Sequence, residues 1–214
     1  MLPVGIVTTA KRADVLKKTL NSLNEEADIQ VFCDLEPGLY WNHKAAWAKL
    51  FERSDRALLL QDDVSASRNW YKTANYITKK FSSAPVISLF DPFFSSNKGI
   101  EKGYVLKGTP WEQAIIIKKD FYEYKNYLTE KIPSLLSEFE MSKRKGDYHH
   151  DLVVNWTLRY TKQSAVCISP PFFQHRIETS TVGNNKTWKG KDRVCEHYLG
   201  DSVDAYAYFL EKLK

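Results

Sequence analysis

The chain has 214 residues, of which 43% are hydrophobic and 27% charged, and no apolar run approaches the roughly 20 residues of a membrane span, so a soluble globular protein is expected. The formal net charge of +5 suits a phosphate-bearing ligand, but it is too small to indicate nucleic-acid binding by itself. The three cysteines are odd in number and show no CxxC spacing, which argues against a disulfide framework and favours a reducing compartment, the cytoplasm.

The first ninety residues alternate between apolar and amphipathic segments. Four short segments rich in apolar residues predict buried strands: residues 2–7, 29–32, 57–60 and 86–90. Apolar residues at helical spacing predict three intervening helices: one from residue 13 to 23, one over 42–51 with Asn42 as N-cap, and one capped by Ser67 or Asn69. The start lacks a basic leader, so it is interpreted as a strand rather than a signal peptide. This alternation predicts an α/β fold with a mostly parallel central sheet flanked by helices.

The second half of the chain is less regular. Further strands are predicted at residues 114–117 and 165–169, and further helices at 119–141, 151–160 and 203–213, the first of them broken at Pro133. Three polar loops are predicted at residues 91–103, 142–148 and 170–201. Because no linker or repeat is visible, we expect one domain over residues 1–214.

Polar side chains follow each of the first four predicted strands. They are Thr8 and Thr9, Asp34, the run Gln61-Asp62-Asp63, and Asp91. Because parallel strands end at a shared edge of the sheet, and ligands of open α/β sheets bind beyond that edge, we expect these residues to lie close together at a binding site.

Asp62 and Asp63 are the most informative of these residues. Two adjacent ionised carboxylates repel each other, and a bound cation removes that cost. Mg²⁺ and Mn²⁺ favour carboxylate and phosphate oxygens as ligands. The pair therefore predicts a site where a divalent cation meets a diphosphate; a solvated turn after a strand is the alternative interpretation.

Two segments resemble one enzyme family. Residues 4–12, followed by a helix with Leu16, Leu20 and Leu23, resemble the opening of GT-A-fold glycosyltransferases. Residues 58–63 resemble their DxD-type motif in the acidic-Asp-Asp form of some N-acetylglucosaminyltransferases, although Gln61 replaces the first carboxylate. The size and plan are also similar to the small glycosyltransferase domains of large DNA viruses, which would place the protein in the host-cell cytoplasm. The resemblance implies a nucleotide-sugar-binding half over about residues 1–120 and an acceptor-side half over about 121–214.

The resemblance implies roles for individual residues. Asp63 and His175, the latter in a Gln-His pair after the last core strand, would hold the metal ion. Asp62 would contact the ribose or sugar of the donor. The other implied donor or acceptor contacts are Thr8, Thr9 and Arg12 beside the nucleotide, Asp34 near the base, and Trp111 and Glu112 at the transferred sugar or acceptor.

Asp151 is the candidate catalytic base. It follows His149 and His150 at the predicted start of a helix, where the macrodipole keeps a carboxylate ionised and able to accept a proton. The pattern resembles the family's segment in which such a residue deprotonates the acceptor hydroxyl, a contribution of roughly 10²–10⁴-fold. An ordinary N-cap is the alternative, and Asp147 and the two histidines are further candidates for the base.

Residues 184–193 are basic and contain one aromatic side chain. Lys189 and Lys191, with Lys186 and Arg193, are suited to a loop that closes over a diphosphate and excludes water. A solvated surface loop is the alternative interpretation.

Together these features predict a metal-dependent glycosyltransferase that uses Mn²⁺ or Mg²⁺. It would transfer a sugar from a nucleotide diphosphate, such as a UDP-sugar, to the hydroxyl of a glycan or other acceptor, with inversion. No nucleic-acid partner is expected. A sugar-nucleotide nucleotidyltransferase is one alternative. Such enzymes usually carry a Gly-rich phosphate loop after the first strand, but residues 8–11 contain no glycine. A non-catalytic carbohydrate- or nucleic-acid-binding module is the other.

Overall fold

The computed structural model describes residues 1–23, 25–34, 39–91, 97–131, 150–176, 195 and 197–214. The helices in these ranges are α1 (Ala13–Ser22), α2 (Leu39–Phe51), α3 (Trp70–Lys80), α4 (Asn97–Lys102), α5 (Lys119–Lys131), α6 (His150–Tyr160) and α7 (Ala205–Lys212). The strands are β1 (Val4–Thr9), β2 (Ile29–Asp34), β3 (Arg56–Gln61), β4 (Val64–Ala66), β5 (Val86–Ser88), β6 (Tyr104–Lys107), β7 (Ala114–Lys118), β8 (Ala165–Ile168) and β9 (Phe173–His175). No helix in these ranges is long and apolar enough to cross a bilayer.

The central sheet has seven strands in the order β2-β1-β3-β7-β5-β8-β6. Strands β1, β2, β3, β5 and β8 run in one direction, and β6 and β7 run in the other. The predicted α/β class with a mostly parallel sheet is therefore confirmed. Strand β7 lies between β3 and β5, so the fourth predicted strand does not pair with the third.

Helices cover both faces of this sheet. Alternate residues of a strand point to opposite faces, so Ile6 and Leu60 pack in one core cluster while Val7 and Leu59 pack in the other. The first cluster is completed by side chains of α3 and α7, and the second by side chains of α2, α5 and α6. Burial on both faces explains why β1 and β3 are continuous apolar runs rather than alternating ones.

The predicted N-cap at Asn42 is wrong. Helix α2 begins at Leu39, so Asn42 lies inside it. The side-chain amide of Asn42 instead donates to the carbonyl oxygens of Thr8 and Phe32, each at 3.0 Å. Asn42 thus joins α2 to the carboxyl ends of β1 and β2, a tertiary role that the local pattern does not reveal.

Helix α3 begins after Asn69, as one of the two predicted caps requires, but the Asn69 side chain makes no capping hydrogen bond. The carboxylate of Glu25 accepts from the backbone N–H groups of Trp70 and Tyr71 at 2.8 and 2.9 Å. A residue from a distant loop therefore satisfies donors that a helix start leaves without intrahelical partners.

Two of the predicted loops contain regular structure. Residues 91–103 include helix α4, and residues 170–201 include strand β9. Strand β9 pairs antiparallel with β4 in a two-stranded ribbon, with Val64 opposite His175 and Ala66 opposite Phe173. Each strand of this ribbon has only three residues, too few to show a recognisable period.

Candidate functional site

The polar strand ends converge on one edge of the sheet. Thr8 and Thr9 close β1, and their neighbours across the β1–β2 ladder are Cys33 and Asp34. Strand β3 runs alongside β1 and leads directly into the turn that carries Asp62 and Asp63. The structure therefore brings the ends of β1, β2 and β3 together, as their shared direction requires.

A buried arginine bridges the two aspartates. Arg12 lies in the 3-10 turn after β1, and its Nη2 atom is 3.0 Å from Asp62 Oδ1 and 2.7 Å from Asp63 Oδ2. Its Nε also donates to Asp62 Oδ2 at 3.0 Å. All three residues are less than 9% exposed: Arg12 8%, Asp62 5% and Asp63 7%. The pair is thus neutralised in part by the protein's own cation, away from solvent screening.

The hydroxyl groups of two threonines hold the aspartate turn in place. Thr8 Oγ1 donates to Asp62 Oδ2 at 2.6 Å. Thr19 Oγ1, on α1, lies 2.6 Å from the carbonyl oxygen of Asp62 and 3.1 Å from that of Val64. Thr19 carries no signal in the sequence, because its helical position belongs to no motif.

The β4–β9 ribbon brings His175 to Asp63. The Nε2 atom of His175 lies 3.3 Å from Asp63 Oδ2, and the His175 ring packs at 6.4 Å, centroid to centroid, from the ring of the fully buried Phe90. The backbone N–H of Arg176 donates to the carbonyl oxygen of Asp63 at 2.7 Å. Two candidate ligands that are far apart in the sequence therefore lie side by side.

Gln174, the first residue of the Gln-His pair, fixes this strand. Its Nε2 donates to the carbonyl oxygen of Cys195 at 3.0 Å, and its Oε1 accepts from the backbone N–H of Cys195 at 2.8 Å. The same oxygen accepts from the backbone N–H of His175 at 3.1 Å. The amide thus holds the residue next to the candidate ligand His175.

The two aspartates differ in their electrostatics. Burial raises the pKa of Asp62 above its usual range, even though the Thr8 hydroxyl and Arg12 act in the opposite direction. Burial also acts to raise the pKa of Asp63, but the contacts with His175 and Arg12 outweigh it and lower that pKa. Asp63 is therefore the more acidic of the two and the better anionic ligand.

The side-chain atoms around Asp63 supply some, but not all, of the ligands that a divalent cation needs. Asp63 Oδ1 and His175 Nδ1 are buried and have no hydrogen-bond partner among the described residues. Carboxylate oxygen and imidazole nitrogen are both ligands of Mn²⁺-type ions. The described ranges contain no group of three or more His, Cys, Asp or Glu side chains that could hold a metal ion. This part of the chain therefore offers two ligands, and a complete shell needs others.

Trp111 and Glu112 lie just before β7, beside the end of β3. The backbone N–H of Gln61 donates to the carbonyl oxygen of Gln113 at 3.0 Å, which fixes this segment to the strand that leads to the aspartates. Glu112 is 6% exposed. Its charge acts on the buried Lys125 of α5, a residue that the sequence analysis did not single out, and opposes the burial that lowers the Lys125 pKa to about 8.

Four predicted site residues are described incompletely or not at all. Asp34 ends β2 and Asp151 is the second residue of α6, but their side chains lie outside the described residues. Lys189 and Lys191 lie outside the described residues entirely.

Comparison with models of protein families finds no match, and no curated protein matches the chain. Solved structures do resemble it, and two of them serve as examples. The glycosyltransferase GlyE of Streptococcus pneumoniae TIGR4 superposes with a TM-score of 0.51 and 9% sequence identity, over 100% of this chain and 61% of GlyE. The 1–349 region of TarS from S. aureus superposes with a TM-score of 0.45 and 10% identity, over 82% of this chain and 60% of that one.

The chain thus spans 60–61% of the length of these two structures. The likeness to GlyE shows that the chain has the fold of a glycosyltransferase. Activity has to be argued from the site itself, because one fold can carry several activities.

Proposed function

We propose that the chain is a metal-dependent glycosyltransferase that moves a sugar from a nucleotide diphosphate donor, UDP-linked, to an acceptor hydroxyl. One observation carries this proposal: Asp63 and His175 lie side by side near the ends of β1 and β3. Two of their atoms that can ligate a metal ion, Asp63 Oδ1 and His175 Nδ1, have no hydrogen-bond partner among the described residues. The edge at the carboxyl ends of parallel strands is where α/β sheets bind nucleotides. The GlyE-like fold adds independent support.

The donor would lie along this edge. Thr8, Thr9 and Asp34 close the strands against which the nucleoside would rest. Asp63 and His175 would hold Mn²⁺ or Mg²⁺, which supplies neutralisation of the negative charge on the leaving diphosphate. Asp62, which Thr8 and Arg12 hold in place, would contact the ribose or sugar of the donor. Lys189 and Lys191 are proposed as further diphosphate contacts.

The acceptor would be activated from the other half of the chain. Asp151, in the first turn of α6, is favoured as an anion by the helix dipole and would take the proton of the acceptor hydroxyl. In a single displacement, the acceptor oxygen forms a bond to the anomeric carbon as the bond to the diphosphate oxygen breaks, which inverts that centre. Trp111 and Glu112 would contact the transferred sugar or the acceptor.

Hydrolysis of nucleotide sugars without an acceptor tests this proposal. Purified protein is incubated with a panel of UDP-, GDP- and ADP-sugars in Mn²⁺, in Mg²⁺ or in EDTA, and the released nucleoside diphosphate is measured. We expect turnover of one UDP-sugar that EDTA abolishes.

Two matched variants sharpen the result. Asp63→Asn should lower turnover by about 100-fold or more, since it removes a ligand oxygen's charge from a site that stabilises the leaving group. Asp28→Asn, which alters an exposed carboxylate paired with Arg53, should leave turnover unchanged. Turnover that survives both EDTA and Asp63→Asn, or no turnover with any donor, would contradict the proposal.

A further inference from the structure

Arg12 occupies the position in which a cation would relieve the repulsion between Asp62 and Asp63. A single nitrogen, Nη2, lies within 3.0 Å of an oxygen of each carboxylate. Because the three side chains are buried together, withdrawing Arg12 without a replacement would leave two charges unpaired in a poorly solvated place. Arg12 is therefore a resident counter-ion rather than a surface side chain free to swing away.

The hydrogen bonds leave one carboxylate oxygen open. Asp62 Oδ2 accepts from Thr8 and from Arg12 Nε, and Asp62 Oδ1 contacts Arg12 Nη2. Asp63 Oδ2 contacts Arg12 Nη2 and lies near His175 Nε2. Asp63 Oδ1 has no partner among the described residues. While Arg12 stays in place, Asp63 Oδ1 is thus the carboxylate oxygen left to ligate a cation, whereas both oxygens of Asp62 are already engaged.

A site with so few available ligand atoms binds a metal ion weakly when no nucleotide is present. Mn²⁺ and Mg²⁺ take about six ligands, and in nucleotide sites the substrate phosphates supply several of them. Among the described residues only Asp63 and His175 are placed to ligate, in agreement with the absence there of any three-residue ligand cluster. The positive charge of Arg12, a few ångströms away, disfavours a second cation further.

We infer that Arg12 makes metal binding conditional on the nucleotide. With Arg12 in place, the divalent cation is held firmly only when a nucleoside diphosphate adds its negative charge and its oxygen ligands. Arg12 is in this sense a positioning residue: it turns Asp63 Oδ1 towards the cation and removes Asp62 from the ligand set. The inference rests on the proposed function for the identity of the second ligand, a nucleoside diphosphate.

Binding of Mn²⁺, followed by the loss of the free-ion signal in electron paramagnetic resonance, tests this inference without any turnover. Wild-type protein and Arg12→Met are titrated with Mn²⁺ alone and with Mn²⁺ in the presence of UDP. For the wild type, we expect UDP to tighten Mn²⁺ binding by about tenfold or more. For Arg12→Met, we expect Mn²⁺ alone to bind about tenfold or more tighter than it binds to the wild type, since a like charge has gone and Asp62 is released.

Three further variants separate charge from folding. Arg12→Lys keeps the positive charge and should leave the affinity for Mn²⁺ alone within roughly threefold of wild type. Arg53→Met, at an exposed ion pair, should change nothing. If Arg12→Met does not fold, Arg12→Met/Asp62→Asn removes one charge of each sign, and it should still bind Mn²⁺ alone more tightly than the wild type does.

The outcomes distinguish this inference from the proposed function. Equal Mn²⁺ affinity of the wild type and the folded Arg12 variant in the absence of UDP would overturn the role of Arg12. A wild type that binds UDP in no metal condition would overturn the proposed function, while the comparison with Mn²⁺ alone still decides whether Arg12 suppresses metal binding.

Discussion

The buried Lys125 should make the stability of the protein depend on pH in the alkaline range. Its side chain is 1% exposed, and its ammonium group lies 4.5 Å from the centroid of the Tyr122 ring. Burial lowers the pKa of Lys125 to about 8 although Glu112 acts to raise it. Since an unfolded lysine has a pKa of about 10.4, the unfolded chain binds more protons than the folded one between these two values, and stability must rise with pH there.

The size of this effect follows from the two pKa values. The gap between them corresponds to roughly 3 kcal/mol at 1.36 kcal/mol per pH unit. Between pH 7.5 and 9.5 the contribution of Lys125 to the free energy of unfolding should increase by about 2 kcal/mol. This contribution is complete above the unfolded pKa and is lost as the pH falls through the folded pKa.

Urea unfolding of the wild type and of Lys125→Met at several pH values measures this contribution. Methionine has a similar shape but does not titrate, so the difference between the two unfolding free energies isolates Lys125 from other titrating groups. We expect the wild type to gain about 2 kcal/mol on the variant between pH 7.5 and 9.5. A difference that stays constant over this range would refute the reasoning.

Two other side chains should stabilise the fold through contacts that are distant in sequence. Glu25→Ala should lower the free energy of unfolding by about 1 kcal/mol, because two N–H groups at the start of α3 lose their acceptor. Glu26→Ala, at an exposed position, should have little effect, and urea titration measures both variants. Asn42→Ala should cost about 1–3 kcal/mol, because the buried carbonyl group of Thr8 and the partly buried one of Phe32 lose a donor. A loss below a few tenths of a kcal/mol would contradict that account.

The elements that sequence reasoning located are those whose signal is local. Residues 57–60 are continuous and apolar because β3 is covered on both faces, and the structure places them inside Arg56–Gln61. The helix that starts at residue 13 was equally visible, since its apolar residues recur on one face. Shared strand direction then sufficed to bring the ends of β1, β2 and β3 to one edge.

The contacts that complete the site are not local, and the sequence pattern could not supply them. Strand β7 enters the sheet antiparallel between β3 and β5, which depends on its partners rather than on its own composition. The ribbon that brings His175 to Asp63 has three residues in each strand. Arg12, in the turn after β1, was expected beside a nucleotide. In the structure its side chain contacts both aspartates, and this pairing is defined only once the chain has folded.

The proposed site rests on a cation held between Asp63 and the diphosphate of a donor at the carboxyl edge of the sheet. A crystal structure of the protein with UDP and Mn²⁺, with anomalous data collected to locate manganese, tests this most directly. We expect one manganese peak within about 2.5 Å of Asp63 Oδ1, adjacent to His175 and to the diphosphate of UDP, with Arg12 still bound to Asp62. Manganese or nucleotide bound away from the ends of β1 and β3 would contradict the account.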